Sequence, residues 1–530
     1  MRGNSLGVRR ELHWDRLIDC FTDRAPNLWQ RIATVIDQRG EAIAVVDGET
    51  RLSYDDLDAQ SGGAAALIAG LGVRQGDRVA VMLANGADAF RVLFAVLRIG
   101  AVLVPVGTRS KAAELSYIFA DAEPSVVIHG PEFAAEMPAD GPAADWRIDV
   151  AGEVWRRAIC SAVAAPDAPD LDEHALFGIL YTSGTTGKPK GAMLTHLNVI
   201  HSCLHWQRAH GLTAEDRTLL CVPWAHVSGL CGVVVPFLSI GARIIVLGEF
   251  KRRAALEMAT AERITHALMV PAMYGLCLLE SNLAAFDLHA WRIAAYGGAP
   301  MPEPTIARFA EAFPNLAMCN CYGATETTSP ATIMPPGEGT ARSDSIGKVV
   351  ECGDIRVMDD RGREVAASTD GEFWIGGPMV TPGYWRNPKA TAASFAGGYW
   401  KSGDIGSIDR EGYVRIADRK KDMIVRGGFK IYPAEVESVL AGLKGVVEAA
   451  VVGCPDELLG EGVVAFVCAA DDSVSPHAVQ RWCGDRLSDY KVPAFVVVEV
   501  SPLPRNVNGK IQKAELRQRA ACYAIKARTS

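Results

Sequence analysis

Short, almost wholly apolar runs alternate with helix-length segments twice along this chain, and few folds accommodate that alternation. Residues 79–83, 101–106 and 125–128 are too short for helices and too uniformly apolar for strands with one wet face. Helix-length segments at 88–99 and 111–121 separate them, which is βαβαβ patterning with parallel strands buried on both faces. The pattern returns downstream, with strand candidates at 219–222, 242–247, 265–269, 291–295 and 316–319. The expected class is α/β, with a large N-terminal domain of two similar doubly wound βα halves.

A chain of 530 residues is about three and a half times the usual one-domain length, so further domains are expected. Past residue 343 short strand-like pieces separated by Asp-Asp, Gly-Gly and Pro-Gly replace the helical periodicity, which implies a β subdomain over about 340–418. A charged run, Arg419 to Asp422, then precedes a glycine pair, a helix opening at Pro433, and strands at 449–452, 463–467 and 495–500. The expected division is therefore a large domain over 1–418, a hinge at 419–422 and a small mobile α+β domain over 423–530.

Composition excludes several classes. Hydrophobic residues at 49% and charged residues at 22% are ordinary for a globular chain and argue against a disordered, fibrous or membrane-embedded one. The most apolar stretch, 232–248, is interrupted by Pro236, Gly241 and Arg243, so helix, turn and strand are expected there and no transmembrane segment. With a net charge of -8 and no Lys/Arg block, nucleic acid is not an expected partner. Thirteen cysteines without a CxxC pair fit reduced thiols, and the first 31 residues read as neither signal peptide nor anchor, so the expected location is cytoplasmic.

One segment carries the sharpest chemical signal. Tyr181-Thr-Ser-Gly-Thr-Thr-Gly-Lys-Pro-Lys-Gly191 follows an apolar strand at 175–180. Small residues let backbone N–H groups turn inward around an anion, with hydroxyls and two lysines alongside. Walker spacing fails, because Thr182 stands where its first glycine should and Pro189 follows Lys188, so a P-loop hydrolase or kinase is disfavoured.

The segment resembles the phosphate loop of the adenylate-forming (AMP-binding) superfamily, which includes acyl- and aryl-CoA synthetases, adenylation domains and luciferases. Further motifs follow in family order: Tyr296-Gly-Gly-Ala-Pro300, Tyr322-Gly-Ala-Thr-Glu326, Ser402-Gly-Asp404, Asp418-Arg-Lys-Lys421 and Pro504-Arg-Asn-Val-Asn-Gly-Lys510. The resemblance implies an ATP-dependent acyl-CoA synthetase of the fatty-acid or aryl-acid type, with ATP, Mg2+ and coenzyme A as cofactor and co-substrates. A small carboxylic acid would be activated as an acyl-adenylate and passed to the thiol.

Residue by residue, the resemblance assigns phosphate contacts to Thr182, Ser183, Gly184, Thr185, Thr186, Gly187, Lys188 and Lys190. It assigns the adenine side to Gly298, Ala299, Pro300, Tyr322, Gly323 and Thr325, and the ribose to Asp404 and Arg419. Tyr322 offers a flat face to a purine, and Glu326 supplies the hard oxygen that Mg2+ prefers. Lys510 is the expected catalytic lysine, its ammonium offsetting charge as a carboxylate meets the α-phosphate; Glu326, Thr182 and His226 complete the expected catalytic set. Lys421 is the expected pivot, whose rotation withdraws Lys510 and presents Gly427 and Gly428 to coenzyme A.

On the acyl side the expected residues are His226, Tyr274 and Tyr296, with 328–333 nearby; the two tyrosines suggest an aromatic, alicyclic or medium-length acid. No aspartate lies between Pro223 and Leu230, so the ammonium of an α-amino acid would be buried without a partner, and that substrate class is disfavoured. Departures from the family pattern are Ser402 for a common Thr, Trp224-Ala225 ahead of His226, and Asp418 for a frequent Gly. Alternatives are a stand-alone enzyme loading a separate carrier protein and a non-catalytic nucleotide-binding scaffold, the latter opposed by the presence of Glu326 and Lys510. The sequence leaves a homodimer open, and the Lys510 loop resembles an acetylation site, making a lysine acetyltransferase a further expected partner.

Overall fold

The computed structural model describes residues 7–141, 146–161, 163, 165–182, 188–456, 459–471, 473–505 and 511–528. They form two compact units: Met1–Met301, Thr305–Ile355 and Trp374–Lys401 in the first, and Pro302–Pro304, Arg356–Phe373 and Ser402–Ser530 in the second. Among the described residues every cysteine is free, and no helix is long and apolar enough to cross a membrane.

The first unit holds two large sheets. The six-stranded one runs in the order Lys190–Thr195, Leu176–Thr182, Val102–Pro105, Arg78–Met82, Val126–His129, Arg147–Asp149, and its central strands are parallel. The apolar runs in the sequence are these strands, and Val102–Pro105 and Val126–His129 are buried along their whole length. The helix Ala87–Arg98 is also buried on most of its circumference. Removing Phe90, Leu93, Phe94 and Leu97 from water stabilises the fold by roughly 1.5–3 kcal/mol per side chain.

The nine-stranded sheet has the order Lys348–Val349, Thr332–Ile333, Ala317–Tyr322, Ile293–Gly297, His266–Met269, Arg217–Leu220, Arg243–Val246, Ile43–Asp47, Thr50–Ser53. Its parallel core matches the downstream alternation. Its edges do not come from that stretch: Ile43–Asp47 joins in parallel beside Arg243–Val246, and Thr332–Ile333 and Lys348–Val349 add antiparallel strands at the other end. The two sheets are therefore interleaved along the chain. A π-helix Leu230–Val234, a short helix Val235–Leu238 and the strand Arg243–Val246 occupy the most apolar stretch.

A helix, His196–His210, follows the strand Lys190–Thr195. It opens with a capping box, Thr195 with Asn198, and closes at Gly211 with φ 57°, a conformation that glycine adopts without cost. Ahead of all of these, Val8–His13 and Arg16–Phe21 form a two-stranded hairpin.

The second unit is α+β. Its sheet has the order Phe429–Ile431, Ile424–Arg426, Gly460–Ala469, Val446–Asp456, with Phe495–Glu499 parallel to Gly460–Ala469. The helices Pro433–Ala441 and Pro476–Gly484 contribute Val436, Leu440, Val479 and Cys483 to a core shared with Ile424, Ile431, Val463 and Val467.

Candidate functional site

The segment expected to hold phosphates is flanked by two paired strands. Leu176–Thr182 pairs antiparallel with Lys190–Thr195, and Thr182 lies opposite Lys190 at the segment's base. Ser183, Gly184, Thr185, Thr186 and Gly187 lie outside the described residues. At the base, Lys188 Nζ sits 5.8 Å from the centre of the Tyr117 ring and Lys190 Nζ 5.1 Å from that of Tyr384, so each cation is held over an aromatic face. Gly191 is required by packing: a Cβ there would come within 2.6 Å of Ile179 Cγ2 and 3.1 Å of Tyr181 Cζ.

A second segment is laced onto this strand pair. Trp385 N donates to Gly191 O at 2.7 Å and Met193 N to Gly383 O at 3.0 Å. Glu326, on the single turn Thr325–Thr327, is 8% exposed; the Tyr384 hydroxyl donates to its Oε1 at 2.7 Å, and Thr381 N donates to its carbonyl at 2.9 Å. One tyrosine thus places its ring under Lys190 and its hydroxyl on Glu326. Burial, and then the Glu326 carboxylate, push the Tyr384 phenol upward, so it stays protonated and donates. Sequence reasoning missed Tyr384; the available signal was a Pro-Gly turn followed by two aromatics, Pro382-Gly-Tyr-Trp385.

Three of the remaining motifs leave the carboxyl ends of parallel strands of the nine-stranded sheet, where open α/β sheets bind ligands. Gly298, Ala299 and Pro300 follow Ile293–Gly297 and are exposed, with Gly298 at φ 79°. Tyr322 and Gly323 end the neighbouring strand Ala317–Tyr322. The strands approach so closely that a Cβ on Gly297 would lie 2.3 Å from Cys321 O. A Cβ on Gly323 would lie 3.2 Å from Pro330 Cα and 3.3 Å from Ala331 N.

The third motif, Pro223 to His226, follows Arg217–Leu220. Trp224 anchors it, donating from Nε1 to Leu83 O at 2.8 Å and from N to Asn85 Oδ1 at 2.9 Å. His226 is half-buried at the start of the next helical turn, and its Nε2 lies 3.7 Å from where a Cβ on Gly107 would stand.

The two tyrosines expected around the acyl group are both packed in the core of this sheet. Tyr274 is fully buried, donates its hydroxyl to Ala295 O at 2.8 Å and packs edge-on against Phe309. Tyr296 is 1% exposed in the same cluster with Met269 and Met318. Their placement accounts for them as packing residues, because a pocket wall would present some ring surface to the ligand space.

In the second unit Asp404 lies opposite Arg419 across a hairpin, with Arg419 Nε 2.9 Å from Asp404 Oδ1. Asp404 is 3% exposed, and its N–H is received by Ser402 Oγ at 3.0 Å, so Ser402 does locally what a threonine hydroxyl would. Asp418 accepts from Arg419 N at 2.6 Å and from Ala434 N at 2.8 Å, in the first turn of Pro433–Ala441. The departure from glycine at 418 therefore provides a helix cap. Lys421 is exposed and its carbonyl accepts from Arg517 Nη2 at 3.3 Å. Gly427 and Gly428 form the two-residue turn between Ile424–Arg426 and Phe429–Ile431, at φ 57° and 87°, which only glycine adopts freely. Lys510 lies outside the described residues.

Comparison with known proteins gives the following matches. Residues 32–385 match the AMP-binding enzyme family and residues 435–510 the AMP-binding enzyme C-terminal domain. The chain is 33% identical over 495 residues to the long-chain-fatty-acid–CoA ligase FadD13 of Mycobacterium tuberculosis, covering 92% of this chain and 97% of that one. It is 36% identical over 480 residues to feruloyl-CoA synthase of an Amycolatopsis species, covering 90% and 96%. A fatty acid–[acyl-carrier-protein] ligase of Streptomyces coeruleorubidus, ScoC, is 33% identical over 489 residues, covering 89% and 92%. Among solved structures, o-succinylbenzoate CoA synthetase of Bacillus subtilis with its acyl-adenylate intermediate superposes with a TM-score of 0.83 at 28% identity, covering 93% and 98%.

Proposed function

The chain belongs to the AMP-binding enzyme family, and we propose on that premise that it is an AMP-forming acyl-CoA synthetase. In the first half-reaction a substrate carboxylate oxygen attacks the α-phosphorus of ATP and pyrophosphate leaves, giving an acyl-adenylate. In the second the thiol of coenzyme A attacks the acyl carbonyl and AMP leaves, the thiol proton passing to solvent. Adenylation converts a poor leaving group into a good one.

The observation that carries this reading is Tyr384, which fixes a cation from the phosphate segment and a carboxylate from the adenine motif on one side chain. Lys190 and Lys188 face the phosphates, with Thr182 at the loop's base. Glu326 offers a buried carboxylate oxygen oriented by a hydroxyl, a hard donor that fits Mg2+. When bound, that ion neutralises charge on the phosphate oxygens. Gly298, Ala299, Pro300, Tyr322, Gly323 and Thr325 surround the adenine. Asp404 receives the ribose hydroxyls, with Arg419 holding its other side.

His226 borders the acyl carboxylate and positions it. Lys510 bridges the reacting anions in the first step; rotation at Lys421 then replaces it with the Gly427–Gly428 turn, which faces the thiol. Acetylating Lys510 removes the charge that the first step needs, which makes it a point of regulation by a lysine acetyltransferase. The acid is an aromatic, alicyclic or medium-length carboxylate; with Tyr274 and Tyr296 in the core, the likeness to feruloyl-CoA synthase supports the aromatic class.

A panel of such acids tests the reading. The expected result is AMP release that requires ATP, one of the acids and coenzyme A, together with acid-dependent pyrophosphate exchange in the absence of thiol. The relationship to ScoC favours a second reading, in which the acceptor is a carrier protein. Acyl transfer to a phosphopantetheinyl carrier but not to coenzyme A would select it, and no exchange with any acid would refute both.

A further inference from the structure

The N-terminal hairpin carries a polar cluster that the proposed reaction does not use. His13 ends the strand Val8–His13, and a tight turn through Trp14 and Asp15, at φ 48° and 62°, returns the chain into Arg16–Phe21. The His13 imidazole is 5% exposed. Its Nδ1 lies 2.8 Å from His174 Nε2 and 3.8 Å from Glu173 Oε1, while its Nε2 lies 3.2 Å from Glu11 Oε2. Arg24 braces both carboxylates, reaching Glu11 Oε2 through Nη2 at 2.7 Å, Glu173 Oε2 through Nε at 2.9 Å and Glu173 Oε1 through Nη2 at 3.0 Å, so an ion would share that last oxygen with the guanidinium.

Glu11 accepts from two guanidiniums, through Oε1 from Arg9 and Arg24 and through Oε2 from Arg24. An ionised carboxylate only accepts, so His13 carries its hydrogen on Nε2 and turns the Nδ1 lone pair toward His174 and Glu173.

We propose that His13 Nδ1, His174 Nε2 and Glu173 Oε1 form a binding site for a divalent cation of the zinc class. The three donor atoms lie within 4.8 Å of one another, and two imidazole nitrogens with one carboxylate oxygen are a set that zinc accepts, water completing the shell. Glu11 supplies the outer partner that metal-bound histidines usually have, a carboxylate receiving the hydrogen of the far ring nitrogen. Arg24 and Arg9 together balance the two carboxylates, so the ion is held by its three donor atoms and not by a surplus of negative charge. On binding, His174 shifts its hydrogen to Nδ1, freeing Nε2 for the metal. Its ring already packs 4.9 Å from Trp14, and its backbone N–H is received by Asp172 Oδ1 at 2.6 Å, which fixes the chain at this position. The bound ion ties the hairpin to residues 173–174, immediately ahead of Leu176–Thr182, and its role is structural.

The test uses the full chain, freed of metal with a chelator and dialysed against ZnCl2 in the presence of excess Mg2+. The expected result is one tightly bound equivalent and a raised melting temperature, with Co2+ giving a tetrahedral visible spectrum without a thiolate charge-transfer band. His174 is exposed, so His174→Ala should fold normally and weaken Zn2+ binding by about ten- to a hundredfold. Pyrophosphate exchange should stay unchanged, which separates this site from the proposed reaction. Absence of stoichiometric uptake, equal affinity in His174→Ala, or a thiolate band assigning the ion to cysteines would each overturn the proposal.

Discussion

Lowering the pH from 7.5 to 5 should destabilise the first unit, through histidines that the fold buries in their neutral form. His196, His201, His205 and His210 lie on one helix, His196–His210, and burial pushes them down to about 4, about 3, about 3 and about 3 respectively; His266, in contact with His210, is pushed well down by burial too. Nearby charges modify this: Asp172 raises His196, while Arg24 lowers His201 and Arg208 lowers His205. In the unfolded chain the same groups take a proton near 6.5. Their folded values are depressed, so the stability they contribute is present above about 6.5 and is lost as the pH falls below it.

At pH 5 each histidine is protonated when unfolded and neutral when folded, which costs about 2 kcal/mol per group and about 10 kcal/mol for the five. That is comparable with the whole stability of an ordinary domain. Glu437 and Asp418, carboxyls pushed up by burial, act in the opposite direction, but both lie in the second unit.

The structure also says where the damage begins. His201 Nε2 accepts from Phe21 N at 3.2 Å, and His196 Nδ1 accepts from Leu28 N at 3.2 Å. Protonation occupies those same lone pairs, so acid both buries a cation and unlatches the N-terminal segment from the helix. The assay is urea unfolding followed by tryptophan fluorescence between pH 7.5 and 5. The expected outcome is a steep fall in midpoint with about five protons taken up on unfolding. His201→Gln retains a donor and an acceptor without titrating, and should reduce the uptake by about one proton. A midpoint that does not move over this range, or an uptake unchanged in His201→Gln, would refute the reasoning.

Two substitutions probe the site. Tyr384→Phe keeps the ring beneath Lys190 and deletes only the hydrogen bond to Glu326; because a bond to a charged group is worth about 1.5–3 kcal/mol, stability should fall by no more than that, and pyrophosphate exchange should slow about ten- to a hundredfold as the carboxylate loses its orientation. An unchanged rate would remove Tyr384 from the site. Gly297→Ala places a methyl group 2.3 Å from Cys321 O, on a backbone that can yield only by parting two strands, so a loss of about 1–3 kcal/mol in urea titration and a raised KM for ATP are expected.

What the sequence disclosed follows from which forces are local. A strand buried on both faces, such as Val126–His129, must be apolar throughout, so its position can be read without knowing its neighbours. Neighbour choice is another matter: nothing in Ile43–Asp47 itself shows that it pairs with Arg243–Val246 and not with the strands that follow it in the chain. The motif residues were legible because turning around phosphate or adenine demands particular side chains at fixed spacing. Tyr384 was not, since its role depends on two partners, Lys190 and Glu326, brought to it from distant parts of the sequence. Tyr274 and Tyr296 mark the converse limit, because an aromatic residue reads the same whether it lines a ligand cleft or fills a core. Only the destination of the Tyr274 hydroxyl, on strand carbonyls, decides between them.

The charge balance of the molecule then has a local explanation. A chain with net charge -8 is proposed to bind a polyphosphate, and long-range attraction across its surface cannot be the reason. Lysine is a flexible point charge, and holding it ready ordinarily costs side-chain entropy. Here Lys188 and Lys190 each rest over a tyrosine ring, which restricts the ammonium while leaving its hydrogens available to an anion. Arg419 is fixed in the same spirit by Asp404. Affinity for the nucleotide can therefore rest on a few prearranged cations, and the rest of the surface can stay acidic without opposing the chemistry, because salt screens exposed charges beyond about 8–10 Å.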